Sequence, residues 1–286
     1  VTDSIITSSF EGLIFSNSGS PEFTIARLDG WYSGAPVRVD VEERPTGDGA
    51  FGVRQIFRSP RVITQSGIVR AADTDSAVNG PWAAFAALQP AGSPSEFSVT
   101  DGSGIKSVVA SLAAAPELEL VVGGLARYTL QLIARDPVKY GPESTVSTGL
   151  PAAGGGLVYP LHDPAGALSY GALGDLGRVS VSNPGTADTW PVVVVTGELT
   201  SGFFVQCLES GHVVRYDRVV PAGTSVALDF RTGETLIDGQ SDGSTYVTRD
   251  EWFPIPAGGS CTIQFNSLGS SSGSPMMTVT TRPGWW

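Results

Sequence analysis

The feature that most constrains this chain is strict alternation of apolar and polar residues in short runs broken by glycine and proline. Val37-Arg38-Val39-Asp40-Val41-Glu42 alternates throughout, Tyr128-Thr129-Leu130-Gln131-Leu132-Ile133 nearly so, and Glu117-Leu118-Glu119-Leu120-Val121-Val122 until its end. Successive side chains of an extended strand point to opposite faces, so each run reads as a strand with one wet face. The 36 glycines and 20 prolines supply the turns between such runs, and the chain is predicted to be all-β. One short helix is the exception. Asn79 as cap, Pro81 in the first turn and apolar residues at 82, 85 and 88 predict it. Val108–Ala114 is Ala-rich and leaves helix and strand both open.

A length of 286 residues suits two domains. Gly141-Pro142-Glu143-Ser144 opens, and Leu150-Pro151-Ala152-Ala153-Gly154-Gly155-Gly156 closes, a stretch without buried periodicity that reads as a linker or crossover. The predicted domains are 1–148 and 149–286. In the second, Val220-Pro221-Ala222-Gly223 through Phe230 matches Ile255-Pro256-Ala257-Gly258 through Phe265 without a gap. In each copy Pro-Ala-Gly makes a tight turn. The residues that follow alternate, with 226, 228 and 230, or 261, 263 and 265, on one face. Two equivalent turn–strand units predict a sandwich of similar antiparallel sheets.

Composition excludes several functions. The net charge is −11, and neither half is basic, with 11 basic against 16 acidic residues up to residue 148 and 6 against 12 after it. Binding to a phosphate backbone or an anionic membrane is therefore not expected. No run approaches the roughly 18 apolar residues of a membrane span, and the N-terminus has no basic, then apolar, secretion pattern. Charged residues are 16% of the chain, against roughly 25% in ordinary domains, which suits a surface covered by neighbours.

Catalytic and metal-binding patterns are weak. With two histidines, His162 and His212, a His-rich metal site is impossible. Gly269-Ser270-Ser271-Ser272-Gly273 matches a nucleophile elbow in letters, yet it lies in a Ser/Gly-rich loop without the required strand and helix. Asp238-Gly239 through Asp242-Gly243 fits no full calcium loop and reads as a hairpin turn, and Asp73-Thr74-Asp75 likewise. The adjacent pairs Asp250-Glu251 and Glu42-Glu43 point to opposite faces of a strand and do not converge. No catalytic residue, cofactor or metal is assigned. Cys207 and Cys261 both fall in β-like segments; one bridge is conceivable, and two buried thiols is the plainer reading.

Two features point to contacts. Residues 49–72 hold Arg54, Arg58, Arg61 and Arg70 and no acid, a strip able to face an acidic partner surface or to lie solvated over apolar neighbours. Aromatic residues gather at Trp31-Tyr32 and at Trp252-Phe253 with Trp285-Trp286, where packing in a core or interface is favoured over a sugar platform.

The order of several stretches resembles the distal tail proteins of long-tailed bacteriophages, including minor tail proteins of phages that infect actinobacteria. In the first half these stretches are Leu28-Asp29-Gly30-Trp31-Tyr32-Ser33-Gly34, Asp48-Gly49-Ala50-Phe51-Gly52, Arg61 through Val69, and Ala134-Arg135-Asp136-Pro137-Val138-Lys139-Tyr140-Gly141. In the second they are Val181 through Pro191, Trp252 through Gly259 and Arg282-Pro283-Gly284-Trp285-Trp286. The resemblance implies two β-sandwich domains. The N-terminal one would be a ring-forming tail-hub domain, left through the Asp136-Pro137-x-x-Tyr140 motif. The C-terminal one would be a galectin-like or carbohydrate-binding-module-like jelly roll. It further implies a non-enzymatic virion protein of the tail tip, made in the host bacterial cytoplasm and forming a homohexameric ring. The implied partners are the tail tube, tape measure and tail-tip hub proteins, with host glycan for the outer domain in some relatives. Arg54, Arg58, Arg61, Arg70, Trp31 and Tyr32 would then face neighbouring copies or partners. A carbohydrate-binding adhesion module and a trimeric receptor-binding tip subunit are the alternatives.

Overall fold

A computed structural model of the chain describes residues 5–18, 22–39, 41–52, 56–71, 74–88, 93–122, 124–152, 174 and 176–286. Arg54, Asp73, His162 and the Leu157–Leu161 opening of the second half lie outside the described residues. The chain divides into two compact units, Val1–Gly141 with Trp285–Trp286, and Pro142–Gly284.

The first unit contains β1 (Thr7–Phe10), β2 (Leu13–Ser16), β3 (Phe23–Asp29), β4 (Val37–Val39), β5 (Ile56–Arg58), β6 (Arg61–Arg70), α1 (Thr74–Ala87), β7 (Ser95–Asp101), β8 (Gly104–Leu112), β9 (Glu117–Val122), β10 (Leu125–Ala134) and β11 (Lys139–Tyr140). The Ala-rich segment is thus part of strand β8. Most of these strands join one sheet, in which β8-β7-β1-β2-β3-β6-β10 are successive neighbours and β10 also pairs with β8. This circuit closes on itself into a barrel-like layer, and β9 extends from β10 as a strand paired, among the described residues, on one side only. Within β6 the residues 61, 63, 65, 67 and 69 face inward. Phe10, Phe15, Phe23, Phe97, Tyr128 and Leu130 fill the interior, each fully buried side chain contributing about 1.5–3 kcal/mol. Their rings meet at tilted angles, with Phe15 and Phe23 centroids 5.2 Å apart.

The helix begins five residues before Asn79 and carries Pro81 inside it. Asp75 in its first turn complements the positive end of the helix dipole. The loss of one hydrogen bond at proline is tolerated, because Pro81, Phe85 and Leu88 bury their side chains. Phe85 meets Phe23 edge-on at 5.4 Å.

The second unit contains β12 (Ser144–Gly149), β13 (Arg178–Asn183), β14 (Val192–Leu199), β15 (Phe203–Cys207), β16 (Val213–Tyr216), β17 (Ser225–Asp229), β18 (Thr235–Ile237), β19 (Ser241–Asp242), β20 (Val247–Asp250), β21 (Gly259–Ser267) and β22 (Ser271–Thr281). They form a six-stranded sheet, β12-β22-β14-β17-β18-β19, and a five-stranded one, β13-β21-β15-β16-β20. Part of the expected linker is therefore strand β12, which pairs with β22. The two echoed segments supply one strand to each sheet, β17 and β21, and Val226, Leu228, Phe230, Cys261, Ile263 and Phe265 all enter one core. The last strand, β23 (Gly284–Trp285), lies beside β11 at one margin of the first unit's sheet.

Candidate assembly surface

Exposed apolar side chains are distributed unevenly. Among the described residues, all the large exposed hydrophobics except Leu176, Val192, Leu208, Val219 and Met276 lie in the first unit. Many sit on one arm. Val37 pairs with Arg58 and Val39 with Ile56 in an antiparallel ribbon that belongs to no larger sheet. The bridge between Glu43 and Ala50 and the hydrogen bond from Phe51 N to Glu42 O extend the ribbon. Gly47 and Gly49 take positive φ at its tip.

The strict alternation of residues 37–42 predicts one covered face, yet the described residues of both ribbon strands are exposed. Val37 (53%), Val39 (45%) and Ile56 (62%) share one face, with Arg58 opposite Val37 at its end. On the other, Arg38 lies over the Phe57 ring at 5.6 Å. An isolated two-stranded ribbon is marginal in water, and an apolar face on such a ribbon gains stability by burial against a further surface. A second sticky element is β9, which pairs with β10 alone and exposes Leu120 and Val121.

The sequence-predicted contact residues separate into buried and exposed sets. Arg61 is 1% exposed. Its Nη1 donates to the carbonyls of Gly30 at 2.6 Å, Ser33 at 2.8 Å and Trp31 at 3.4 Å, and its Nε to that of Pro137 at 3.0 Å. Burial, then the Arg58 charge, lowers its pKa. Trp31 is 2% exposed and meets Phe97 edge-on at 5.5 Å. Arg61 and Trp31 are thus corrected from partner-facing to internal residues: Arg61 occupies an inward position of β6, and Trp31 caps the barrel interior. Arg70, at the other end of β6, is exposed, about 30 Å away by strand rise, so the described arginines form no continuous strip. Arg58 lies over the Trp286 ring at 4.2 Å and Lys106 over Trp285 at 5.0 Å. Tyr32 is exposed, and its hydroxyl donates to Asp101 Oδ2 at 3.0 Å. Burial first and Asp101 second push its pKa up to about 12.

The exit motif is a closed local unit. Asp136 Oδ2 accepts from the Tyr140 hydroxyl at 2.7 Å and Oδ1 from the Val138 amide at 3.1 Å, while the Pro137 carbonyl accepts from Arg61. Lys139, beside them and buried, donates to the Trp31 carbonyl at 3.0 Å. Sequence reasoning passed over Lys139. Its neighbours in the motif were the only signal.

The segments set aside as catalytic, calcium or sugar sites take structural roles. Ser271 and Ser272 are in β22, opposite Leu199 and Glu198, so the Gly-x-Ser-x-Gly letters do not make an elbow. Asp238 Oδ1 accepts from the Ser225 amide and Asp242 Oδ1 from the Ser244 amide within a hairpin. Trp252 and Phe253 pack on Phe230, at 5.2 and 4.7 Å. No helix among the described residues is long and apolar enough to cross a membrane.

No protein-family model matches the chain, and no curated protein matches it. Solved structures do. The chain shares its fold with SPP1 Dit (gp 19.1), described as a paradigm of the hub adsorption apparatus in phages infecting Gram-positive bacteria. The TM-score is 0.67 at 13% identity, over 98% of this chain and 99% of that one. A chain of the phage P2 baseplate in its activated conformation with calcium matches at TM-score 0.49 and 7% identity, over 97% of each chain.

Proposed function

We propose that this chain is a structural, non-enzymatic protein of a bacteriophage tail tip. It forms a homohexameric ring through its first unit and joins the tail tube to the tip proteins. The carrying observation is the shared fold with SPP1 Dit along nearly the full length of both chains. The crowding of exposed apolar residues into the first unit supports assignment of assembly to that unit. In a ring each subunit offers one patch and receives another, and the contact repeats until it closes. The apolar face of Val37, Val39 and Ile56 fits the donated patch, and the β9 edge is a further element that closure would cover. Tail tube, tape measure and tip proteins are the partners this reading requires, and the second unit is the galectin-like module, open to other tail proteins or a host glycan.

Electron-microscope class averages of the purified chain test this. Closed six-fold rings with a central opening are expected. Three-fold particles would transfer the chain to trimeric tip subunits. Single particles together with a positive glycan array would transfer it to adhesion modules.

A further inference from the structure

The chain has two cysteines, 54 positions apart, and the fold brings them into contact. Cys207 ends β15 and Cys261 lies in β21, its antiparallel neighbour; the register sets Cys207 opposite Ile263. Cys261 is two residues from Ile263 and so points to the same face. Both side chains are buried, at 4% and 1% exposure, and their sulfurs are 2.7 Å apart. The turn after Cys207 fixes this approach. Leu208 N donates to Thr262 O at 2.9 Å, and the Glu209 carboxylate accepts from Thr262 N at 2.8 and 3.0 Å. Glu209 also accepts from the Cys207 thiol at 3.4 Å, which places Cys207 next to an exposed residue at the margin of the core. These three groups have their ligand atoms within 4.8 Å of one another. Two thiolates on one tetrahedral zinc ion, however, stand about 3.7 Å apart at normal bond lengths. The sulfur pair here is closer, in the direction of a covalent bond of about 2.05 Å.

We propose that Cys207 and Cys261 are a disulfide-forming site, kept as two thiols in a reducing compartment and joined when the protein meets a small-molecule disulfide such as oxidised glutathione. The Cys207 thiolate attacks one glutathione sulfur, forming a mixed disulfide and expelling one glutathione thiolate. The Cys261 thiolate then attacks the Cys207 sulfur, forming the internal bond and expelling the second glutathione thiolate. The cysteine pair loses two electrons, glutathione disulfide gains them, and the two thiol protons end on the released glutathiones. Burial first, then the Cys207 sulfur and after it the Glu209 carboxylate, raise the pKa of Cys261, which makes the exchange slow and the reduced form persistent.

The test uses the full chain, purified under reductant and then held with oxidised glutathione. Intact mass should fall by two hydrogens, and alkylation in denaturant should find no free thiol. Peptide mapping should join 207 to 261, Tm should rise by roughly 5–15 °C, and dithiothreitol should reverse all of this. A Cys261→Ala chain should show no oxidant-dependent rise. Two thiols still alkylated after long exposure, separate glutathione adducts, or linkage between chains would each overturn the proposal. These readouts are made on the unaltered chain and hold even if the variant folds poorly.

Discussion

Arg61 Nη1 donates to the Gly30 carbonyl at 2.6 Å, from a buried side chain that has no carboxylate partner among the described residues. With its bonds to Trp31, Ser33 and Pro137, one side chain fastens the turn after β3 to the segment after β10. Arg61→Ala leaves several carbonyls without donors and should cost about 3 kcal/mol. Arg61→Lys should recover only part, since an ammonium lacks the planar fork. Urea unfolding of the three chains measures this, and an unchanged midpoint for Arg61→Ala would refute the fastening role.

Tyr140→Phe removes the hydrogen bond to Asp136 at the end of the first unit. A single neutral donor to a carboxylate, half-buried here, contributes about 1–2 kcal/mol. Asp136→Ala should cost more, because it also strips the Val138 amide. Equal losses in the two variants would mean that the amide bond contributes nothing.

Lys139 carries a pH signature. Burial first, then the charges of Arg61 and Lys106, lower its pKa to about 8, with Asp101 opposing. An unfolded lysine titrates near 10.4. Between those values the unfolded chain binds more protons, so the Lys139 contribution makes stability rise with pH from about 8 and is unfavourable below it. The raised pKa of Cys261 acts in the opposite sense, so the quantity to read is the difference between wild type and Lys139→Met. Wild type should gain on the variant as pH goes from 7.5 to 9.5. A pH-independent difference would show that Lys139 titrates normally.

Gly67 in β6 lies opposite Ile25 of β3, beside the register shift between Ile25 and Arg27. A Cβ there would sit 1.7 Å from Thr24 O and 2.8 Å from Tyr128 Cε1. Backbone on one side and a buried ring on the other leave no cheap relaxation, and Gly67→Ala should cost about 2–4 kcal/mol. Gly12→Ala meets no atom within 4 Å and pays only for its positive φ, so a thermal melt of the pair should rank Gly67→Ala well below it.

The sequence made the second unit more legible than the first. The Pro-Ala-Gly echo predicts two equivalent strands, and Val226, Leu228 and Phe230 face the same core as Cys261, Ile263 and Phe265. In the first unit alternation located strands β9 and β10 but left their closure open, because the β8–β10 pairing rests on two residue pairs only, Leu132 with Leu112 and Ile133 with Ser111, which no pattern in the sequence marks. Pro81 misled the helix start, since proline favours a first turn and tertiary burial overrides that preference. Arg61 sounds like a surface residue by type. Only the phase of β6, with Ile63 and Val69 inward, places Arg61 inside, and that phase is ambiguous while Val62 and Ile68 are apolar too.

The most direct test of the central claim is sedimentation velocity of the full chain across a hundredfold concentration range, beside an Ile56→Asp, Val39→Asp variant. Both positions are exposed on the ribbon, so the variant should keep its fold by circular dichroism. The account predicts a species of six times the chain mass for the unaltered protein, falling to single chains in the variant. A monomer at every concentration, or a hexamer indifferent to both charges, would contradict assembly through the ribbon of the first unit.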